Sequence, residues 1–435
     1  MTKRKLDNRE RREKGNDPCA FAPLRETKPD NSSFSQRRKG AKNCFRNFRG
    51  SLIEVVKVWV VLGGLVFALA GQSPQQKSVS ETVGGKSFTP PPEWRPTHAA
   101  PGARYLGNAV CAQCHIQTET QHATPMAQAL ERAAESRILR AHQKLNFQSG
   151  KYSYTISREG DRSIYQVSDG NNSIVAPLLY AFGQGKAGQT YVFELNGKFF
   201  ESRVSFYNGI NGLDYTMGAP REPAKTLAEA AGRLMDSADI KDCFSCHSTG
   251  AVNGSKLQLD QLTPGVTCEG CHGSGEKHVA LMKSANPKPV DNKQIINPGR
   301  FDTEGQTQFC GSCHRTWTHV QLMRVQGVAN VRFQPYRIFN SKCYDFDDKR
   351  ISCTACHNPH EELRKDAAYY DAKCTACHQT RGEPVNQDKR GASCKTGKLR
   401  DCASCHMPEY EIPGSHFKFK DHQIRVARPG ETYPN

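Results

Sequence analysis

The chain has 435 residues, of which 37% are hydrophobic, and its formal net charge is +17. The apolar fraction is thin for one or two ordinary domains, so another apolar component is needed to complete a core of usual size. The charge could indicate a nucleic-acid partner, but residues 1–50 contain fifteen Lys or Arg against six Asp or Glu. More than half of the excess charge therefore lies in the first fifty residues, which weakens the case for nucleic-acid binding.

Residues 1–70 are predicted to form a basic leader and a signal peptide. An apolar run from Val58 to Ala70 follows the basic residues and ends in Ala68-Leu69-Ala70, the pattern of an apolar signal with a small-residue cleavage site. The alternative is an uncleaved anchor over residues 52–70, although the thirteen uninterrupted apolar residues fall short of the roughly 20 that span a bilayer. We expect an exported, periplasmic protein of a bacterium, attached to the membrane only if this segment is uncleaved.

The rest of the chain is predicted to fall into four segments. Residues 71–104 are rich in Ser, Pro, Gly and Thr and are expected to form a linker. Residues 105–150 carry the first cysteine motif and a stretch with helical spacing from Pro125 to Gln143. Residues 151–217 alternate between apolar and polar side chains, and their Asn196-Gly197 dipeptide predicts a hairpin in a small antiparallel β insertion. Residues 218–435 begin with a predicted helix from Ala224 to about Ile240 and hold all the other motifs.

Seven copies of Cys-x-x-Cys-His dominate the sequence. Two thiols at this spacing can form thioethers with the vinyl groups of one haem c, and the following imidazole can bind its iron. Zinc knuckles are the main alternative, but seven histidines out of seven and an odd number of motifs argue against them. Thioredoxin-like pairs occur singly beside a βαβ pattern, which this chain lacks. We therefore expect seven covalently attached haem c groups, held by Cys111, Cys114, His115; Cys243, Cys246, His247; Cys268, Cys271, His272; Cys310, Cys313, His314; Cys353, Cys356, His357; Cys374, Cys377, His378; and Cys402, Cys405, His406.

Seven haems would supply the missing apolar component. We accordingly predict a mainly α fold with extensive loops wrapped around covalently bound haems, interrupted by the small β insertion at about 151–217. The haem propionates offset much of the remaining positive charge, so no nucleic-acid partner is expected.

Eight histidines lie outside the motifs and are candidates for the second axial position of each iron. The two ligating nitrogens of one iron lie roughly 4 Å apart on opposite faces of the ring. Histidines only three to seven residues after a motif cannot pass around the ring edge, so we expect them to bind a neighbouring haem. The candidates are His122, His278, His319, His360, His416 and His422, with His142 a weaker one, while His98 falls in the predicted linker.

Two cysteines of the exported part belong to no motif. Cys343 and Cys394 each lie eight to ten residues before one. An oxidising compartment favours a disulfide between them, and two free thiols are the alternative.

Several stretches resemble the multihaem cytochromes c grouped with the tetrahaem electron carrier of ammonia oxidisers, hydroxylamine oxidoreductase and pentahaem nitrite reductase. They are Cys268-Glu-Gly-Cys-His-Gly-Ser-Gly-Glu-Lys-His278, Cys353-Thr-Ala-Cys-His-Asn-Pro-His360 and Cys402-Ala-Ser-Cys-His-Met-Pro with the later Gly414-Ser-His416 and Asp421-His422. The similarity covers roughly residues 105–428 and is nearest to the carrier-type members. It implies distal ligands at His122, His278, His360 and one of His416 or His422. It also places Cys343 and Cys394 at positions that are cysteine in bacterial members with the β insertion.

Two functions remain. The favoured one is a periplasmic heptahaem cytochrome that carries electrons through closely spaced, mostly bis-histidine haems between a quinol-side donor and a terminal reductase or outer-membrane conduit. The alternative is a multihaem oxidoreductase acting on a small nitrogen or sulfur oxyanion, or on hydroxylamine, at a five-coordinate haem. The chain lacks the Cys-x-x-Cys-Lys motif of nitrite reductase, and no tyrosine is assigned to the cross-link of hydroxylamine oxidoreductase. Both departures weaken the enzyme interpretation.

Overall fold

The computed structural model describes residues 104–253, 256–284, 294–378, 400–428 and 430–434, together with two short strands before them. All of these belong to one unit, Thr82–Asn435. The predicted leader and signal segment lie outside the described residues, as does most of the predicted linker. Within the part that is described, no helix is both long and apolar enough to span a bilayer.

The strands are β1 Thr82–Val83, β2 Lys86–Ser87, β3 Leu130–Arg132, β4 Lys144–Ser149, β5 Tyr152–Glu159, β6 Arg162–Ser168, β7 Ser173–Phe182, β8 Gln189–Leu195, β9 Lys198–Tyr207, β10 Gly212–Tyr215, β11 Gly232–Leu234, β12 Ser248–Thr249, β13 Val252–Asn253, β14 Lys256–Leu257, β15 Thr263–Pro264, β16 Glu409–Glu411 and β17 Lys418–Lys420. The α-helices are α1 Asn108–Cys111, α2 Thr118–Gln121, α3 Arg137–Ala141, α4 Leu227–Ala231, α5 Ser237–His247, α6 Cys268–His272, α7 Glu276–Met282, α8 Thr303–His314, α9 Trp317–Met323, α10 Gln334–Phe339, α11 Cys353–Cys356, α12 Ala367–Thr375 and α13 Cys402–His406. Short 3-10 helices cover Leu259–Gln261, Pro298–Arg300, Gly327–Arg332 and Lys349–Ile351.

The largest element is a nine-stranded antiparallel sheet. Strands β4 to β10 follow one another in chain order, while β3 pairs with β7 and β11 pairs with β9. Alternation of apolar and polar residues builds it: Tyr152, Tyr154 and Ile156 point into the core from β5, as side chains two apart on a strand must. The predicted Asn196-Gly197 hairpin is confirmed, since both residues have positive φ (51° and 73°) and join β8 to β9, the geometry of a type I′ turn.

The expectation of a mainly α fold is wrong. Of the described residues, 33% are helical and 24% are in strands, and the antiparallel sheet forms a nearly closed barrel. Its two ends approach each other where the Phe147 ring of β4 lies 5.4 Å from the Tyr215 ring of β10. The sheet exceeds the predicted insertion because it also includes β4, just before the predicted boundary, and β3 and β11, which at three residues each are too short to be recognised by alternation.

Two predicted helices are shorter than expected for related reasons. In the stretch from Pro125 to Gln143, only Arg137–Ala141 is α-helical, and Leu130–Arg132 pairs with β7 instead. The predicted helix from Ala224 to Ile240 is interrupted by β11. There the backbone of Gly232 approaches the carbonyl of Glu201 so closely that no Cβ would fit. Pairing with the sheet has overridden local helical propensity at both places.

A buried cluster joins the sheet to the motif-bearing region. The Phe244 ring of α5 is fully buried and makes edge contacts with Tyr180 and Phe182 of β7, at centroid distances of 5.0 and 5.2 Å. This packing fixes α5, and therefore the second motif at its end, against one side of the sheet.

Candidate haem-binding site

Each motif lies on or beside a short helix, and in three of these helices, α5, α8 and α12, an aspartate caps the start. Asp236 caps α5 by accepting hydrogen bonds from the backbone N–H groups of Ala238 and Asp239, both 2.8 Å away. Asp302 caps α8 in the same way, accepting from the N–H of Gly305 at 2.7 Å. Such caps satisfy the free N–H groups of the first turn, so the last turn, which carries the second cysteine and the histidine, is held in place.

Four histidines share one hydrogen-bond pattern that leaves Nε2 able to bind a metal. The Nδ1 atom of each lies beside a backbone carbonyl, which can only accept, so Nδ1 carries the proton and Nε2 keeps its lone pair. This is the usual support of a metal-bound imidazole. The pairs are His247 with Ala129 O at 3.1 Å, His272 with Ile296 O at 2.7 Å, His406 with Arg425 O at 2.9 Å and His422 with Lys420 O at 3.0 Å.

Three motif histidines face a second histidine at the separation that two axial ligands require. Two metal–nitrogen bonds of about 2 Å, with half an imidazole ring on either side, place the ring centroids about 6 Å apart. In each pair the second histidine comes from the flank of another motif. The pairs are His115 with His278 at 6.3 Å, His272 with His360 at 6.0 Å and His357 with His422 at 6.1 Å.

These imidazoles are also held in the neutral form that binds metals. Burial lowers the pKa of His278 and His360, and the neighbouring motif histidines lower it further. Burial, then the charge of His357, lowers the pKa of His422 to about 4. A metal ligand must be deprotonated, so these histidines need lose no proton to bind iron at neutral pH.

Four other candidates are placed differently. His122 differs in being exposed, although its Nδ1 lies 3.3 Å from the carbonyl of Thr118, the same support as in the four histidines above. His142 has both ring nitrogens occupied, by Ile138 O at 2.8 Å and Asn211 Oδ1 at 3.2 Å.

His319 and His416 also make other contacts. Nδ1 of His319 completes the capping box at the start of α9 with Thr316. Nε2 of His416 lies 2.7 Å from Asp214 Oδ2 at the edge of the sheet. The ring of His416 therefore points its usual ligating atom at a carboxylate.

Polar contacts tie the motifs to one another in pairs. The Cys268 N–H donates to Asn108 Oδ1 at 3.2 Å, which joins motif 3 to motif 1. The Thr354 N–H donates to Gln306 Oε1 at 3.0 Å, which joins motif 5 to the helix of motif 4. The Cys402 N–H donates to Asp371 Oδ1 at 2.8 Å, which joins motif 7 to the helix of motif 6.

Motif 2 is joined to motif 4 by an ion pair. Arg315, directly after His314, donates to Asp242, directly before Cys243, with one N–O distance of 3.1 Å. The cysteine thiols interact between the same motifs. A hydrogen bond to Cys268 is the largest cause of the raised pKa of Cys111. Cys353 has the same effect on Cys310, and Cys246 on Cys313.

Glu269, between the two cysteines of motif 3, is a positioning residue that sequence reasoning missed. Its buried carboxylate accepts hydrogen bonds from the N–H groups of Leu106, Gly107 and Gly275 at 2.8–2.9 Å. An acidic residue inside a Cys-x-x-Cys pair is a visible signal, but its partners 162 and 163 residues earlier could not be inferred from spacing.

The donor set fits covalently bound haem rather than a bare metal ion. No cluster of three or more His, Cys, Asp or Glu able to hold an ion occurs among the residues that were placed, whereas haem iron needs only axial ligands from the protein. Two buried polar atoms, Arg332 Nε and Gln334 Oε1, have no hydrogen-bond partner. The Arg332 Nε–H suits a bound group that brings its own carboxylates, whereas the Gln334 oxygen is an acceptor and lies beside the imidazole of His314.

The predicted disulfide between Cys343 and Cys394 stays a prediction, because Cys394 lies outside the described residues. Cys343 is partly buried, and burial raises the pKa of its thiol.

The site therefore combines three features of a c-type cytochrome. Each motif has two thiols followed by an imidazole, several of these imidazoles donate Nδ1–H to a backbone carbonyl, and three of them face a second imidazole. A family model described as cytochrome c554 and c-prime matches residues 217–273, the segment that contains motifs 2 and 3. This match supports a cytochrome c family at a coarse level, with covalently bound haem c, a part in electron transfer and an exported bacterial location. Comparisons with curated proteins and with solved structures found no match.

Proposed function

We propose that the chain is a periplasmic heptahaem cytochrome c that carries electrons in a respiratory chain through closely spaced haems. The observation that carries the proposal is the set of three histidine pairs at 6.0–6.3 Å. In each, one motif's histidine faces a histidine from the flank of a different motif. Such cross-ligation would hold the haems in a fixed, short-range order, which electron transfer requires.

The cross-motif contacts support one arrangement of the haems. Motifs 1 and 3, 4 and 5, 6 and 7, and 2 and 4 are joined directly. The histidine pairs add links from motif 3 to motif 5 and from motif 5 to the segment after motif 7. We infer a continuous electron-transfer path from the haem of motif 1 through those of motifs 3 and 5 to those of motifs 6 and 7. The haem of motif 4 would join this path at motif 5, and the haem of motif 2 would join it through motif 4.

The proposal is tested on the exported holoprotein by its ferric electron paramagnetic resonance spectrum and its intact mass. A mass equal to the polypeptide plus seven haems is expected. His360→Ala should remove one low-spin ferric haem, because His272 would lose its facing imidazole. His416→Gln is the matched control and should leave the spin states unchanged, since Nε2 of His416 faces Asp214. An unchanged spectrum in His360→Ala would contradict the assignment.

A second candidate function, a multihaem oxidoreductase, is favoured by the placement of two histidines. His142 and His416 are engaged by Asn211 and Asp214, which removes them from the pool of second ligands. Five candidates and His98 then remain for seven irons, and at least one iron would keep a position open for a substrate. A high-spin ferric signal that shifts on addition of nitrite or hydroxylamine would favour this function, whereas seven low-spin haems would refute it.

A further inference from the structure

Arg332 carries a positive charge without a carboxylate beside it. It ends the 3-10 helix Gly327–Arg332, and its Nε is buried without a hydrogen-bond partner. One terminal nitrogen donates to the thioether sulfur of Met217 at 2.9 Å, which is a weak acceptor. Among the described residues, Arg332 forms no ion pair.

Such an arrangement is costly for a guanidinium. Arginine keeps its charge under ordinary conditions, and a charge removed from water needs an opposite charge and hydrogen bonds. The Phe333 ring, 5.1 Å from the guanidinium carbon, offers only a cation–π contact, worth about 0.5–2 kcal/mol. Burial, together with the like charge of Arg315, lowers the pKa of Arg332. The described residues therefore supply no anion for this group.

Arg337, five residues later, shows how the same segment treats a buried arginine that does have its anion. Its fully buried guanidinium makes two hydrogen bonds to Asp421, at 2.9 and 3.0 Å. The contrast with Arg337 indicates that the partner of Arg332 comes from outside the described part of the polypeptide.

The position of Arg332 narrows the choice of anion. Arg315, whose charge acts on it, follows His314 of motif 4 and pairs with Asp242, the residue before motif 2. The side chain of Gln334, two residues after Arg332, lies beside the imidazole of His314 in motif 4. The unsatisfied charge thus lies near the junction of motifs 2 and 4, where attached haems would place their propionates.

We propose that Arg332 binds a propionate carboxylate of the haem attached at motif 2 or motif 4. The proposal rests on the haem attachment proposed above. A planar guanidinium matches a carboxylate in a paired geometry, and a small oxyanion such as nitrite offers the same chemistry from solution. An Arg332 guanidinium paired with a propionate would raise that haem's reduction potential, because a nearby positive charge stabilises the reduced state.

The test is a spectroscopic redox titration of the full-length holoprotein in nitrite-free buffer. Arg332→Gln should lower the midpoint potential of one haem transition. Arg332→Lys keeps the charge and should retain most of the wild-type potential. Arg162→Gln, which removes the same charge from an exposed position in β6, is the matched control and should not move the curve.

Other outcomes distinguish failure of the Arg332 proposal from failure of the proposed function. An unchanged titration in a fully haem-loaded Arg332→Gln protein overturns the inference alone. So does a shift seen only after nitrite is added to the wild type, because the anion then comes from solution. Absence of covalent haem from the wild-type intact mass would instead overturn the proposed function. Far-ultraviolet circular dichroism and the intact mass of each variant establish that it is folded and loaded.

Discussion

The buried ion pair between Arg337 and Asp421 is expected to hold the segment that presents His422. Both side chains are fully inaccessible to solvent, and Asp421 also accepts a hydrogen bond from Arg425 at 2.8 Å. The next residue, His422, faces His357, and its carbonyl accepts a hydrogen bond from Ser341 at 2.9 Å. Asp421→Asn should therefore affect both the stability of the fold and the spin state of one haem.

The magnitude follows from what each substitution leaves behind. Removing one member of a buried pair typically costs about 3–5 kcal/mol, because the other charge stays buried and unpaired. Asp421→Asn leaves two arginines, Arg337 and Arg425, without this carboxylate. Arg337→Met leaves Asp421 with Arg425 still beside it. We therefore expect Asp421→Asn to reach that range and Arg337→Met to cost less.

Denaturant unfolding of the holoprotein, followed by circular dichroism, measures the difference. The control is Arg364→Met, which breaks an exposed pair with Glu361 at 3.2 Å and should cost about 0–1 kcal/mol. Electron paramagnetic resonance of Asp421→Asn should show one haem becoming high-spin, and added imidazole should restore the low-spin signal. The reasoning is refuted if Asp421→Asn is no more destabilising than Arg364→Met and keeps the wild-type spectrum.

Two further substitutions test the packing around the sheet. Gly265→Ala should be strongly destabilising in thermal unfolding, because Gly265 has a φ of +75° and an added Cβ would collide with the carbonyl of Ala127. Gly218→Ala, with a φ of +89° and open space around it, should cost only about 1–3 kcal/mol of backbone strain, and equal losses would contradict this reasoning. Tyr165→Phe should lower the free energy of unfolding by about 1–3 kcal/mol, since the buried hydroxyl donates to Ala231 O at 2.8 Å; a neutral result in denaturant unfolding would show that this carbonyl finds another donor.

Local chemistry in this chain could be predicted because it depends on residues close together in sequence. The Asn196-Gly197 turn follows from two residues that tolerate positive φ, and the strand Tyr152–Glu159 follows from the alternation of Tyr152, Tyr154 and Ile156 with polar residues. Both signals are complete within a short window. The strand Leu130–Arg132 is three residues long, and the sequence pattern predicts a helix there, because only the pairing with Tyr180–Phe182 determines its conformation.

The candidate site is also only partly predictable from the sequence. The short chain between a motif and the histidine after it argues against that histidine binding the same haem, but it does not show which haem the histidine faces. His416 illustrates the limit, since its partner Asp214 is 202 residues away in the sheet. No local pattern distinguishes it from His422, six residues later, which faces His357 at 6.1 Å.

The sheet belongs to the motif region rather than being an addition to it. The carbonyl of Ala129, just before the first strand of the sheet, accepts the hydrogen bond from Nδ1 of His247. Asp214 of β10 engages His416 near the other end of the chain. The carbonyl of Met126 accepts from the N–H of Val266, two residues before motif 3. A segment that merely separated motifs 1 and 2 would supply none of these contacts, so we conclude that the sheet and the residues just before it orient the imidazole of His247 and contact the segments before motif 3 and after motif 7.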